Sequence, residues 1–401
     1  MEINLERLKE NLIDLGWIGY KGTNKDLPYG DKGITRLPYT DEYKKADKFV
    51  VNLMKKAGLE ICHDSVGNLF GTLSSSKSDK HIVIGSHIDT VPQGGIFDGN
   101  LGVLGALESL QTLKENDYDN NYNLTVAAFI GEEGTEIGGT LGSRCFTGNI
   151  ELNEKEIEFF KEKGITVEEV KNTKVDKSKI KNYLEMHIEQ GGILEREEIP
   201  IGIVQGIVGI ARYKATIKGK ANHAGTTPMN MRDDALVKAS KIILKVNEIV
   251  NKIGGDLVGT VGEIEVEPGA VNVIPGKAEF TIELRDMEKE NIEKVINKIK
   301  ESLDEKELMV EDILYEGSEY LDKEVQQSIK KSAKKLDYDY KEMLSGAGHD
   351  ANPLSTITSA GMIFVPSHKG ISHSPEEWTD WEDIKKGTEV MLETIKELDK
   401  R

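Results

Sequence analysis

The chain of 401 residues holds two cysteines, Cys62 and Cys145. That is too few for a disulfide framework, and neither has a neighbouring thiol with which to bind a metal. Long apolar runs are also missing; none approaches the roughly 20 residues needed to span a bilayer. The N-terminal stretch MEINLERLKENLIDLG carries Glu and Arg where a signal peptide would be apolar, and it reads as an amphipathic helix. These absences point to a soluble cytoplasmic protein without a membrane partner. Positive charge is in deficit, with 52 Lys and Arg against 70 Asp and Glu for a net charge of −18, which excludes a basic nucleic-acid binder. No repeat or low-complexity tract is evident. No Gly-rich segment has the Lys of a Walker motif or a Rossmann context, and no Ser occupies a nucleophile elbow.

What is present is enough apolar residue, 38% of the chain, to build the cores of two or three domains. Residues 19–40 are rich in Gly, Pro and Asn without a period and read as a long irregular loop. Ala46, Phe49, Val50, Leu53 and Met54 recur at helical spacing before Gly58. The β-branched runs 81–85 and 123–130 flank a helical pattern over 101–113, the alternation of a largely parallel buried sheet. Near residue 209 the pattern changes: alternating strands at 210–219, 257–266, 278–286 and 308–315 interleave with helices at 233–252 and 288–303. That is a β-α-β-β-α-β order. The first pattern then resumes, with a helix at 322–336, a strand at 361–365 and a helix at 381–398. The expected fold is α/β: a largely parallel mixed-sheet catalytic domain (1–208 and 321–401) interrupted by an inserted α+β domain (209–320).

Four segments carry chemistry. In GSHIDTVPQGGIFDGN, His87 and Asp89 share a face at i and i+2 after a strand, and Asp98 follows in a Gly-rich loop. His87 reads as a metal ligand whose other ring nitrogen Asp89 holds, with Asp98 as a possible bridge, or else as a structural pair at a strand end. In GEEGTEIGG, Glu132 and Glu133 follow a buried strand, where open α/β sheets place their sites. Adjacent carboxylates on extended chain point apart, so one can ligate a metal while the other takes a proton from water. A solvated acidic turn is the plain alternative. MHIEQGG adds His187 and Gln190, and HKGISHSPEEW adds His368 and His373. Histidine is scarce, eight in all, yet most lie in Gly- or Ser-rich segments after expected strands. That clustering favours zinc, or manganese or cobalt, on mixed N and O ligands.

Taken together, GSHIDTVPQGGIFDG, GEEGTEIGGTLGSR, MHIEQG, NHAGTTPM, GAVNVIPG, FTIELRD, GAGHDA and SHSPEEW resemble, in order and across nearly the whole chain, the binuclear metallo-amidohydrolases of the hydantoinase/carbamoylase family. The resemblance implies two divalent ions per subunit, one on His87, Asp98 and His187 and one on Asp98, Glu133 and His373. It implies Glu132 as general base and Asp89 as the carboxylate orienting His87. It further implies that His223 polarises the scissile carbonyl across a dimer interface, and that Asn272 and Arg285, with Gln190 and Arg212 as further contacts, bind the substrate's amide and carboxylate. The residue type suits, since a guanidinium grips a carboxylate with two hydrogen bonds. His349 and Asp350 are expected to support the site from outside the ligand set, and His63, His81 and His368 to be structural. The inserted domain would act as lid and homodimer contact, hinged near Gly209 and Tyr320. The implied reaction is hydrolysis of a linear amide or ureido C–N bond in a small carboxylate-bearing substrate, such as an N-carbamoyl-L-amino acid or allantoate. Aminoacylase, dipeptidase or non-catalytic binding roles are the alternatives.

Overall fold

In the computed structural model, which describes residues 1–304 and 306–401, the chain divides into two compact units. Residues 1–205 and 320–401 form the first, and residues 206–319 the second.

The first unit is built on a mixed sheet whose path runs Glu60–His63, Leu69–Leu73, Asn123–Phe129, His81–His87, Ile180–Ile188, Ser359–Val365, Ile201–Ile207. Its four central strands, from Asn123–Phe129 to Ser359–Val365, are mutually parallel, and the flanking ones antiparallel. The central strands read as continuous apolar runs because both faces are covered. Asn100–Glu115 packs on the sheet and is itself covered by Leu5–Trp17 and Trp381–Asp399, so nearly all of its residues are buried. Because the central strands are parallel, the segments that follow His87, Phe129, Ile188 and Val365 leave the same edge of the sheet. This edge is where open α/β sheets hold their ligands. Register places His87 beside Phe129, three residues ahead of Glu132, and Phe364 beside His187.

Several elements lie outside the periodic segments read from sequence, among them the helices Leu141–Thr147, Glu154–Glu162 and Val167–Asn172, and the strand Tyr340–Ser345. The 19–40 segment is irregular, held by isolated bridges from Ile34 to Tyr20 and Gly94. No helix among the described residues is long and apolar enough to cross a membrane.

The second unit is an antiparallel sheet in the order Ile264–Glu267, Lys277–Asp286, Gly209–Lys218, Leu308–Glu316, with Val258–Thr260 also pairing Lys277–Asp286. Ala235–Ile253 and Lys289–Lys300 pack on it around a core of Ala211, Ala215, Ile242, Phe280, Ile282, Val295 and Ile296. The segment expected as one strand over 257–266 is two short strands, separated by residues 261–263. A small separate ribbon pairs Asn222–His223 with Val273–Ile274.

Candidate metal centre

The loops leaving the parallel edge bring the expected ligands together. The Nε2 atoms of His87 and His187 lie 3.3 and 3.2 Å from Asp98 Oδ1, and His373 Nε2 lies 3.5 Å from Asp98 Oδ2 and 3.2 Å from Glu133 Oε2. Ligating atoms at about 2.0–2.1 Å from one tetrahedral ion stand roughly 3.3 Å apart, so these spacings match pairs of ligands on a shared cation. His87, Asp98 and His187 form one such group, and Asp98, Glu133 and His373 another, with Asp98 common to both.

Tautomers agree with this reading. His87 Nδ1 lies 3.1 Å from the Asp89 carbonyl, and His187 Nδ1 lies 2.9 Å from the Ile188 carbonyl. A carbonyl only accepts, so each Nδ1 carries a proton and each Nε2 a lone pair; that of His187 takes the Gly99 N–H at 3.2 Å. His87 Nε2 is buried without a hydrogen-bond partner, an orphaned polar atom that a cation would satisfy. Gly99 has φ +65°, and a Cβ there would meet the His87 ring within 2.5 Å, so glycine is required for the chain to pass beneath that imidazole.

Electrostatics point the same way. Asp98, Glu132, Glu133 and His187 are buried or nearly so against one another. Burial pushes the Glu132 carboxyl well above its usual range, opposed by His87 and reinforced by Glu133, Asp350 and Asp98. Hydrogen bonds to Asp98 and Glu133 push His373 up to about 11. Such crowding of negative charge is the environment a divalent cation relieves. Glu132 Oε2 stands 3.6 Å from His87 Nε2, outside both ligand groups yet beside them.

One expected contact differs. The Asp89 carboxylate does not hold the His87 ring, from which it stands 3.9 Å away. It accepts instead from three backbone N–H groups, Gly131 at 2.9 Å, Glu132 at 3.3 Å and Glu133 at 3.2 Å, while its main-chain carbonyl takes the imidazole proton. The chain turns at Gly131 (φ +73°) and directs these N–H groups at the buried acid, so Asp89 shapes the Glu132–Glu133 turn. Gln190, expected on substrate, donates from Nε2 to Asp98 Oδ2 at 2.7 Å. His349 is buried and stacks edge-on against His187, outside both ligand groups. Its Nε2 is 2.9 Å from Ser345 Oγ, and burial together with the histidines keeps it neutral. Asp350 receives the Ser143 hydroxyl, and burial and Glu185 push its carboxyl up to about 8. Among the remaining histidines, His63 pairs with Asp47, His81 with Thr125 and His368 with Glu195.

In the second unit, the ribbon places His223 directly opposite Val273 and so next to Asn272. His223 Nδ1 accepts from the Gly225 and Thr226 N–H groups, which leaves Nε2 protonated and exposed as a donor. Arg285 and Arg212 both pair with Glu283. Lys277 is opposite Lys218 and Arg285 opposite Ile210, so Arg285 and the His223–Asn272 ribbon stand near opposite ends of the sheet. Eight residues of strand at about 3.3 Å each put Arg285 roughly 26 Å along the sheet from Lys277, the end at which the chain joins the ribbon.

Two supporting residues escaped the sequence reading. Arg36 is fully buried and donates to the carbonyls of Leu15, Ile18 and Ile88 and to Asn100 Oδ1, tying the irregular 19–40 segment to the chain on both sides of the ligands. A lone Arg in an aperiodic loop carries no sequence signal of burial. Glu377 is fully buried within the quoted SHSPEEW motif and reaches the Asp98 backbone. Its motif position was the available clue.

The family model described as "Peptidase family M20/M25/M40" matches residues 83–397. An N-carbamoyl-L-amino-acid amidohydrolase of Paenarthrobacter aurescens is 36% identical over 98% of both chains. An allantoate amidohydrolase of Bacillus subtilis is 34% identical over 99% of this chain and 100% of its own. The crystal structure of a hydantoinase/carbamoylase family amidase from Burkholderia multivorans superposes with a TM-score of 0.89 at 30% identity, covering 100% of this chain and 99% of that one. With its parallel-edge ligand groups and full-length similarity, the chain belongs to the metal-dependent hydrolases of peptidase family M20/M25/M40, on the side of that family occupied by the hydantoinase/carbamoylase amidases.

Proposed function

We propose that this protein hydrolyses a ureido or other linear amide C–N bond in a small carboxylate-bearing substrate, an N-carbamoyl-L-amino acid or allantoate, using two divalent ions (zinc, manganese or cobalt) per subunit. From a carbamoyl substrate the products are ammonia, carbon dioxide and the amino acid. The observation that carries this reading is the pair of ligand groups sharing Asp98, with the unligated Glu132 carboxyl beside them. The ions, when bound, polarise the scissile carbonyl and acidify water.

The chain's own residues do the rest. Glu132 takes the proton of the attacking water and returns it to the leaving nitrogen, a role suited to a carboxyl whose proton affinity is raised by burial. Asp89 holds the turn that presents Glu132 and Glu133. His223 Nε2–H donates to the oxygen that gains charge, worth about 3 kcal/mol where such donors have been removed elsewhere. Arg285 grips the substrate carboxylate with Asn272 on its amide, and Gln190 and Arg212 make further contacts.

Residues 209–320 serve as lid and homodimer contact. The separation of Arg285 from His223 and Asn272 supports a site shared between two chains, since no small substrate spans roughly 26 Å of sheet. Mixing His223→Ala and Arg285→Ala chains tests this. A shared site regenerates one intact centre per mixed dimer, recovering up to about a quarter of wild-type activity, and no recovery counts against it.

The reaction itself is tested by release of ammonia and free amino acid from N-carbamoyl-L-amino acids, allantoate, β-ureidopropionate and N-acetyl-amino acids, with and without EDTA. Metal-dependent ammonia release from a ureido substrate is expected. Free amino acid from N-acetyl substrates alone would move the protein to aminoacylase chemistry, and silence throughout would refute the hydrolase reading.

A further inference from the structure

We infer that Glu377 is a positioning residue dedicated to the second of the two ion sites, the one on Asp98, Glu133 and His373. The inference rests on the two-ion reading above. Glu377 lies 279 residues along the chain from Asp98, and all three of its side-chain partners belong to the two segments that carry Asp98 and His373. Oε1 accepts from the backbone N–H groups of Phe97 and Asp98, each at 3.0 Å. Oε2 is 2.8 Å from the hydroxyl of Ser372, the residue before His373. That hydroxyl is also 2.9 Å from Asp98 Oδ2, so its one proton lies between two carboxyl groups and joins the Glu377 and Asp98 side chains.

The geometry makes this a brace across one site. Asp98 Oδ1 faces His87 and His187, whereas Oδ2 faces His373 and takes the contacts from Gln190 and Ser372. His373 needs such a brace more than the other histidines do. It lies on a loop at φ +54°, its side chain is 48% exposed, and its ring meets the Asp98 and Glu133 carboxylates. His87 ends one buried strand, His187 is the penultimate residue of another, and both are fixed through Nδ1 by nearby backbone carbonyls. Loss of the Glu377 carboxyl therefore strands the Phe97 and Asp98 N–H groups and releases one of the two contacts that hold the Ser372 side chain beside His373, while leaving His87 and His187 where the sheet holds them. Packing around Glu377 is tight: a Cβ on Gly95 would fall 2.2 Å from Glu377 Oε1 and 2.3 Å from its carboxyl carbon. Gly95→Ala thus displaces the carboxyl without changing it.

The experiment measures both ion affinities of the purified full-length chain, by chelator competition with zinc or manganese and by bound-metal stoichiometry after gel filtration. Glu377→Ala and Gly95→Ala are expected to hold the first ion as wild type does and the second about 10- to 100-fold more weakly, the range seen when a ligand's supporting partner is removed. Glu377→Gln keeps an oxygen for both N–H groups and should fall between wild type and Glu377→Ala, a graded rescue that general destabilisation would not give. His373→Ala supplies the reference for loss of the second ion. If Glu377→Ala does not fold, Gly95→Ala and Glu377→Gln carry the same comparison. Wild-type affinities for both ions in these variants, or equal weakening of both, would overturn the inference while leaving the two-ion reading intact. A wild-type chain that takes up a single ion would overturn both.

Discussion

Replacing Asp89 with Asn separates two ways in which a buried acid next to a metal-binding histidine can work. If Asp89 acted by drawing charge through the His87 imidazole, removing its charge would weaken the ion held by His87. The structure routes its carboxylate elsewhere, onto the N–H groups of Gly131, Glu132 and Glu133, and gives His87 only the Asp89 main-chain carbonyl, which Asn retains. An amide has one accepting oxygen, so at least one of the three N–H groups would face an NH2. A lost charge-assisted hydrogen bond and a stranded buried donor cost about 1.5–3 kcal/mol. Spent on the Glu132–Glu133 turn, that is roughly 10- to 150-fold in affinity for the Glu133-bound ion, with a parallel loss in kcat/KM. The assay is chelator competition in two backgrounds. In the otherwise wild-type chain Asp89→Asn should weaken the second ion. In a His373→Ala chain, where only the His87–Asp98–His187 group is complete, it should leave the remaining ion's affinity unchanged. A tenfold or greater weakening in that second background would refute the reasoning, as would no effect in the first.

Glu132→Gln should lower kcat by about 10²- to 10⁴-fold while both ions stay bound, because it removes a proton acceptor and no ligand; metal content by mass spectrometry alongside turnover checks both halves. Arg36→Met should lower unfolding free energy in urea by about 3 kcal/mol, since each stranded carbonyl costs roughly 1–3 kcal/mol and the relief of no longer burying a charge offsets part of that. A change within about 0.5 kcal/mol would mean that Arg36 is not the tie it looks to be. His373 in the metal-free chain is raised from 6.5 to about 11, so its protonated form stabilises the fold fully below pH 6.5, and that stabilisation is lost as pH rises toward 11. Metal binding needs the neutral ring, so ion affinity should climb over the same window. Urea midpoints of the metal-free chain against pH, compared with His373→Ala, test the first trend, and chelator competition at pH 7 and 9 tests the second.

Local sequence carried the parts of this protein that local chemistry controls. The run ending at His87, the pair Glu132–Glu133 and the segment MHIEQG each announce a strand followed by a polar turn, because alternation and apolar runs report burial of a few neighbouring residues. The change of pattern near residue 209 likewise announces a second unit, since an antiparallel sheet with one exposed face alternates where a parallel one does not. Sequence could not say which atoms of Asp89 do what. Its side chain and its carbonyl are two residues from His87 by either reading, and only the turn at Gly131 decides which one meets the ring. Nor could it find Arg36, because burying a guanidinium depends on three carbonyls supplied from residues 15, 18 and 88. The same holds for Glu377, whose backbone partners, the N–H groups of Phe97 and Asp98, lie some 280 residues away. The sequence determined which groups are available and on what kind of element each is mounted. The tertiary structure decided their distances and hydrogen-bond partners, because parallel register alone brings the ends of four separate strands to one edge.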